Sequence, residues 1–374
     1  MRLVADSGLW RIGPAVAAVP LVAVLEVDGA VLAWTVDQPD DGAQITLIDA
    51  ARADWLWRVL GEDGHRKVAA AAAAPPDPTA GVDLSGVEVH DGALDGLRRL
   101  AVGHWLRRWW PASVRDGISG LDPALLDAEV ALLTADAEDF LGEDSLDGSV
   151  ADLLGPHAAA LGMHLVVGDP RVVELVHDAV RLAGDVGVDA AGWAELADAV
   201  EHAQAPAAPA RRDDYALAAG GDVGQAQRAT IARGTASIAW SGVPAAVFDA
   251  AEDTVTWSVA ADGDRVTATL HAAVIGPGVS TGVPVVLRCG EFTATGALDA
   301  SGRATLPLRD AAGTPAAVTA AWDQDWSVTA VTVGVDVEEP VHARQRVRDF
   351  ARRRLAQPES DAYFAEILAA ESDY

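Results

Sequence analysis

The chain contains very little cysteine and very little lysine. Cys289 is the single cysteine among 374 residues, so the chain can form neither an internal disulfide nor a site of several thiolate ligands. Such a composition is typical of a reducing compartment, and we expect a cytoplasmic protein. Lys67 is the single lysine. Because Ala, Val and Asp are abundant, we attribute the use of arginine in place of lysine to a GC-rich coding sequence and not to function.

Positive charge is scarce as a whole. The sequence has 27 basic and 56 acidic residues and a net charge of −29. This balance repels phosphate backbones and anionic lipids, so we expect neither nucleic acid nor a membrane surface as a partner. The apolar run at 15–25 contains Pro20, ends at Glu26 and is too short to cross a bilayer. The residues after Arg2 lack the apolar core of a signal peptide.

Motifs for catalysis and metal binding are missing from the sequence. It contains no Gly-x-Ser-x-Gly, no Ser-x-x-Lys and no Walker loop, and no two of its nine histidines are four residues apart. His157 and His164 are seven apart, but Gly162 between them argues against one continuous helix. We therefore predict no catalytic residue, no metal site and no cofactor. Cys289 follows an apolar strand-like run, and we expect it to be a packing residue.

Two Ala/Pro-rich stretches divide the chain and predict an α+β protein of several domains. The predicted layout is a small sheet domain with a helix at 1–68, a linker at 69–80, a helical domain at 81–202, a second linker at 203–233, a β-sandwich at 234–338 and a helical hairpin at 339–374.

The N-terminal part reads as a small antiparallel sheet with one helix. Strands at 21–27 and 30–36 flank Asp28-Gly29, a dipeptide that favours a type I′ turn, and a third strand is expected at 44–48. Asp49 is expected to cap the helix that follows.

The middle part shows the three- and four-residue spacing of helices. One helix from Leu94 to Trp109 should end before Pro111, and Asp122-Pro123 and Asp169-Pro170 should each start another. A further helix is expected at 189–202.

After the second linker the apolar period becomes two, which indicates strands. About seven short strands separated by turn residues predict an immunoglobulin-like or fibronectin-like sandwich. One of them is expected at 316–322, and Asp299 to Gly302 should form a hairpin loop.

Two groups of residues are predicted to contact other proteins. The first combines indoles and guanidiniums, the usual energetic anchors of protein interfaces: Trp105, Arg107, Arg108, Trp109 and Trp110. The alternative for this group is a seam within the chain. The second group lies in the basic helix at 341–356: Arg348, Arg352 and Arg353. It either binds the acidic surface of the chain itself or docks an acidic partner.

The leading functional hypothesis is a non-enzymatic scaffold or interaction component of a multi-protein assembly, with another protein as partner. One alternative is a hydrolase or transferase whose site combines dispersed carboxylates with a histidine such as His104 or His164. A third is a small-ligand binding protein with Trp34, Trp55 and Trp57 around the ligand.

Overall fold

The computed structural model describes residues 1–73, 81–141, 147–202, 229–276 and 278–372. The chain divides into two compact units. The first unit comprises Met1–Arg108, Leu121–Arg211 and Arg352–Tyr374, and the second unit comprises Trp109–Gly120 and Arg212–Ala351. Most of the two predicted linkers falls at 74–80 and 203–228, outside the described residues. The predicted six-part layout stays a prediction.

An antiparallel sheet lies in the N-terminal part of the first unit. Within the described residues its strands are β1 (Arg2–Asp6), β2 (Leu9–Ile12), β3 (Val22–Val27), β4 (Ala30–Thr35), β5 (Gln44–Leu47) and β6 (Val82–Asp83). They are ordered β3-β4-β5-β2-β1-β6. The predicted sheet is thus confirmed, but β1, β2 and β6 were not expected. Each is short, so its alternation of apolar and polar residues covers too few positions to stand out.

The hairpin between β3 and β4 has the expected two-residue loop but not the expected turn. Val27 pairs with Ala30 across it. Gly29 has φ +72°, whereas Asp28 is not among the residues with positive φ. A type I′ turn needs positive φ at both central residues, so that prediction is wrong. A Cβ on Gly29 would lie 2.3 Å from the Asp49 carbonyl oxygen, and this close approach requires glycine.

Helix α1 (Leu56–Ala72) follows β5 in the chain, with Trp55 at its N-cap. The prediction that Asp49 caps this helix is wrong. Its carboxylate instead accepts the Ala51 N–H at 3.0 Å, forming a local turn before the helix.

Helices make up the middle of the chain, as predicted: α2 (Asp95–Trp109), α3 (Pro123–Leu141), α4 (Asp147–Leu154), α5 (Ala158–Val167), α6 (Pro170–Asp185) and α7 (Trp193–His202). The carboxylate of Asp122 accepts the N–H groups of Ala124 and Leu125. That of Asp169 accepts the Arg171 N–H. Both predicted N-caps are therefore confirmed.

One stretch of these helices is strongly apolar. Within the part of the chain that the structure describes, Ser149–Val167 is the one helical stretch that is long and apolar enough to cross a membrane. A single such stretch is weak evidence for a span, because helices of soluble proteins pass the same test.

Two antiparallel sheets form the framework of the second unit. Their strands are β7 (Ala229–Ala236), β8 (Val255–Asp262), β9 (Arg265–Ala272), β10 (Pro284–Cys289), β11 (Phe292–Ala297), β12 (Arg303–Pro307) and β13 (Ala330–Val333). Among the described residues, one sheet has the order β12-β9-β8-β7 and the other the order β11-β10-β13. Inward side chains of both sheets belong to one core cluster. Cys289, which is 1% exposed, lies in that cluster, so its predicted packing role is confirmed.

Residues 229–233, which the predicted layout places at the end of the second linker, lie in β7. Two local predictions for this unit are wrong. The strand expected at 316–322 is replaced by helix α8 (Val318–Asp323). The buried residues of this stretch, Ala316 and Ala321, are five apart, which does not fit a strand period of two. The loop from Asp299 to Gly302 joins β11 to β12 in different sheets and so is not a hairpin loop.

Two helices end the chain, α9 (Val341–Ala356) and α10 (Phe364–Ser372). Arg354 near the end of α9 bonds Glu366 of α10, with Nη2 and Oε2 2.7 Å apart. Both predicted C-terminal helices are thus present, and this ion pair joins them.

Candidate functional site

The predicted contact residues of α2 lie in different environments. Trp105 is 2% exposed, and its Nε1 donates to the Pro20 carbonyl at 2.7 Å. Arg107 is exposed and forms an ion pair with Asp127. Arg108 and Trp109 are half-buried, as is Trp110, whose Nε1 donates to the Ser119 carbonyl at 2.8 Å. Burial and internal bonding of Trp105 favour a packing role for it, and the role of the others stays a prediction.

The predicted C-terminal arginines also differ in exposure. Arg353 is exposed, Arg352 is half-buried and Arg348 is 2% exposed. The guanidinium of Arg348 lies 3.0 Å from Glu252 Oε1 and 5.7 Å from the centre of the Trp240 ring. Arg344 also forms an ion pair with Glu252, with Nη2 and Oε2 2.9 Å apart. Burial opposes ionisation of Glu252, but the hydrogen bonds from these arginines and from Ser237 lower its pKa to about 2. For Arg348, the acidic residues of the chain itself are the observed partners.

A buried cluster of charged residues lies in the first unit. The guanidinium of Arg354 donates to both carboxylate oxygens of Glu366, and Glu366 is 0% exposed. Nearby, Glu129 pairs with Arg99 and accepts the Phe364 N–H at 2.8 Å. Burial raises the pKa of Glu129 to about 7 against the opposing effects of these donors, and the charge of Glu366 adds to the rise. These bonds join α2, α3, α9 and α10.

Two histidine–aspartate pairs connect α3 to the α5 region. His157 Nε2 lies 2.9 Å from Asp127 Oδ2, and His164 Nε2 lies 2.8 Å from Asp122 Oδ2. His157 is the N-cap of α5, and that helix runs on through Gly162, so the objection that Gly162 breaks the helix is wrong. A carboxylate-held imidazole can act as a general base. Because the same kind of pair occurs twice between the same two segments, we favour a structural role, in which the two pairs hold α5 against α3.

His104 is placed beside the first of these pairs. Burial, together with the positive charge of Arg107, lowers the pKa of His104, while the charge of Asp127 opposes this shift. Among the described residues, no group of three or more His, Cys, Asp or Glu could hold a metal ion.

The three tryptophans of the ligand-binding hypothesis differ in exposure. Trp34 and Trp55 are buried in the core, and Trp57 is 47% exposed. Trp55 Nε1 donates to the Asp28 carbonyl at 2.8 Å, which fixes that indole to the hairpin.

The outward side of the four-stranded sheet carries a surface that is rich in hydroxyl groups. Strand pairing places twelve outward residues in three rows that cross β7, β8, β9 and β12. The rows are Thr235–Thr256–His271–Arg303, Arg233–Ser258–Thr269–Thr305 and Thr230–Ala260–Thr267–Pro307. We call these twelve positions the threonine face.

Alternation along β8 and β9 produces the centre of this face, whereas a register irregularity between Thr230 and Ala232 interrupts the alternation in β7. In β8 the residues Val255, Trp257 and Val259 are buried in the core, so Thr256 and Ser258 between them point outward. In β9 the buried Val266, Ala268 and Leu270 likewise leave Thr267 and Thr269 outside. All twelve residues of the threonine face are exposed or half-buried.

The threonine face carries hydroxyls and positive charge but no carboxylate. Seven of its twelve positions are Thr or Ser, two are Arg and one is His, in a chain with twice as many acidic as basic residues. Two carboxylates of the described residues bond groups of the face from its margin. Asp253 accepts the Thr235 hydroxyl at 3.2 Å, and Asp299 accepts the Arg303 N–H at 2.9 Å.

The cations of the threonine face are available at its surface. Arg233 and Arg303 are exposed, and within the part of the chain that the structure describes neither guanidinium forms an ion pair. Burial and the charge of Arg303 lower the pKa of His271, and the charge of Asp299 opposes this shift. The face therefore offers two guanidiniums, an imidazole whose pKa is lowered, and hydroxyls that can both donate and accept.

The sequence predicted three of the four strands of the threonine face, β8, β9 and β12, but neither β7 nor the face itself. The signal was present in Thr256-x-Ser258 and Thr267-x-Thr269, where outward positions carry hydroxyls although acidic residues dominate the chain. Only the pairing register shows that these positions adjoin each other and the two arginines.

Comparison of the chain with protein-family models, with curated proteins and with solved structures finds no match.

Proposed function

We propose that this chain is a cytoplasmic, non-enzymatic interaction component of a larger protein assembly, and that the threonine face is its contact surface. The observation that carries the proposal is the absence of carboxylates from all twelve positions of this face in a chain of net charge −29. The centres of protein interfaces are depleted of Asp and Glu and enriched in Arg, and the face follows that composition in both respects.

The two sheets of the second unit also bear on this proposal, because we infer that they form a sandwich. Their shared core cluster supports this inference. An immunoglobulin-like fold would also require a particular strand order. In the constant-type immunoglobulin fold the first, second, fourth and fifth strands share a sheet, whereas here β7, β8, β9 and β12 do. We therefore propose the sandwich architecture without the immunoglobulin strand order.

Blocking the threonine face tests the proposed function. Ser258→Gln with Thr269→Gln places two longer, uncharged side chains at the centre of the face. The matched control is Thr293→Gln with Thr295→Gln, on the outward side of β11 in the other sheet. The tagged full chain is sedimented in lysate of the cells that produce it, and circular dichroism of each purified variant checks folding.

We expect the unaltered chain and the control to sediment as a complex larger than the monomer, and the face variant to sediment as the monomer. A monomeric unaltered chain, or a face variant that stays in the complex, contradicts the proposed function.

A further inference from the structure

The threonine face is small, and its size limits what can bind there. Neighbouring strands lie about 4.8 Å apart and successive outward residues about 6.8 Å apart, so four strands and three rows cover about 14 Å by 14 Å. A surface of this size fits a short polypeptide segment and falls well below the area of a stable protein dimer.

The positive charges of the threonine face favour a bound segment that carries carboxylates. Arg303 lies in the first row on β12 and Arg233 in the second row on β7, so their Cα atoms stand about 16 Å apart across the face. Neither guanidinium forms an ion pair among the described residues, so both can bond carboxylates of a bound segment, although the charge of Asp299 at the margin interacts with that of Arg303. The hydroxyls between them can bond the polar groups of an extended backbone.

The rest of the chain argues against a long polyanion. Nucleic acid binding draws its affinity from many phosphate contacts, and two guanidiniums in a chain of net charge −29 supply too few. A short acidic segment needs charge complementarity only at the threonine face itself. It need not extend over the acidic surface around the face.

We propose that the threonine face binds a short acidic segment of a partner polypeptide, with Arg233 and Arg303 as the anchors of its carboxylates. This inference rests on the proposed function, since it names the chemistry of the partner at the same surface. Arg233 and Arg303 should each contribute a charge-assisted hydrogen bond, and the hydroxyl rows should align the backbone between them.

The test uses the full chain and three fluorescent probes of about ten units, long enough to cross the face diagonally. They are a Glu-Gly repeat peptide, a Gln-Gly repeat peptide and oligothymidylate. Binding is measured by fluorescence anisotropy at low salt, where exposed ion pairs are least screened. The variants are Arg233→Gln, Arg303→Gln and Arg303→Lys. Arg288→Gln is the matched control, because Arg288 is exposed on the outward side of β10 in the other sheet.

We expect the Glu-Gly peptide to bind, and each Arg→Gln change on the face to weaken its binding by about two- to fivefold. Arg303→Lys should keep most of the affinity, and Arg288→Gln should leave it unchanged. Equal binding of the Glu-Gly and Gln-Gly peptides, or an equal loss in Arg288→Gln, overturns the inference. So does tighter binding of oligothymidylate, which would identify a nucleic acid site.

Two further outcomes separate this inference from the proposed function. If the chain alone sediments as a dimer that Arg303→Gln dissociates, the occupant is a second copy and the inference is overturned. If the complex in lysate is lost in the Ser258→Gln and Thr269→Gln variant while the Glu-Gly peptide fails to bind, the acidic segment is rejected and the contact surface stands.

Discussion

Arginines occupy opposite environments in the buried cluster of the first unit and on the threonine face of the second. Arg354 is 2% exposed and bonds a carboxylate that is 0% exposed, whereas Arg303 is exposed with no ion-pair partner among the described residues. A buried charge depends on its partner because water cannot replace the lost bond, and an exposed charge remains solvated. The same side chain therefore supports the fold in one unit and is available for binding in the other.

Removing the charge of Arg354 should have the largest effect on stability among these variants. In Arg354→Gln the buried carboxylate of Glu366 loses both of its guanidinium bonds, and the free energy of unfolding should fall by about 3–5 kcal/mol. Urea unfolding followed by far-ultraviolet circular dichroism measures this loss, because helices of the first unit dominate the signal.

Arg181→Gln provides the control for that experiment. Arg181 is 72% exposed and pairs with Asp178 three residues earlier on α6. Exposed pairs of this kind contribute about 0–1 kcal/mol, so a similar loss in both variants would show that the buried pair has no special role.

Glu129 should make the stability of the buried cluster depend on pH. Its pKa is raised to about 7 in the folded chain, so between its ordinary value and pH 7 the folded state binds more protons than the unfolded state. Stability should then fall as the pH rises from about 4.5 to about 7, by up to about 1.4 kcal/mol per pH unit. Glu129→Gln should remove this part of the fall while its amide oxygen still accepts the Phe364 N–H.

The measurement is urea unfolding of both proteins at several pH values. Glu62→Gln, which changes an exposed carboxylate on α1, is the control and should keep the pH dependence of the unaltered chain. The assignment to Glu129 is wrong if Glu129→Gln keeps it as well.

Changing Arg303 should have the smallest effect on stability and a local effect on the threonine face. Arg303→Gln should change the free energy of unfolding by no more than about 0.5 kcal/mol, because the side chain is exposed. The positive charge of Arg303 contributes to the lowered pKa of His271, so its removal should raise that pKa. An NMR titration of the His271 imidazole measures the shift, and Arg288→Gln should leave it in place.

Much of the secondary structure follows from local sequence. The caps at Asp122 and Asp169 and the alternation in β8 and β9 depend on neighbouring residues, and these predictions are confirmed. Two of the predictions that failed concern segments that pack against other parts of the chain. The turn at Asp28-Gly29 packs against the Asp49 backbone, and the strand expected at 316–322 is a helix whose Ala321 is fully buried.

The same distinction between local sequence and distant contacts applies to the threonine face. The sequence predicted β8, β9 and β12, and because side-chain direction alternates along a strand, it also separated the outward Thr256 and Ser258 of β8 from their buried neighbours. It did not predict β7, whose first residues were expected in a linker. The tertiary structure alone decided that Arg233, Thr269 and Thr305 share a row, that Arg303 lies beside His271, and that Arg348 and Arg354 are buried against carboxylates. Strand register and helix packing join residues far apart in the chain, and the local sequence pattern carries no record of such contacts.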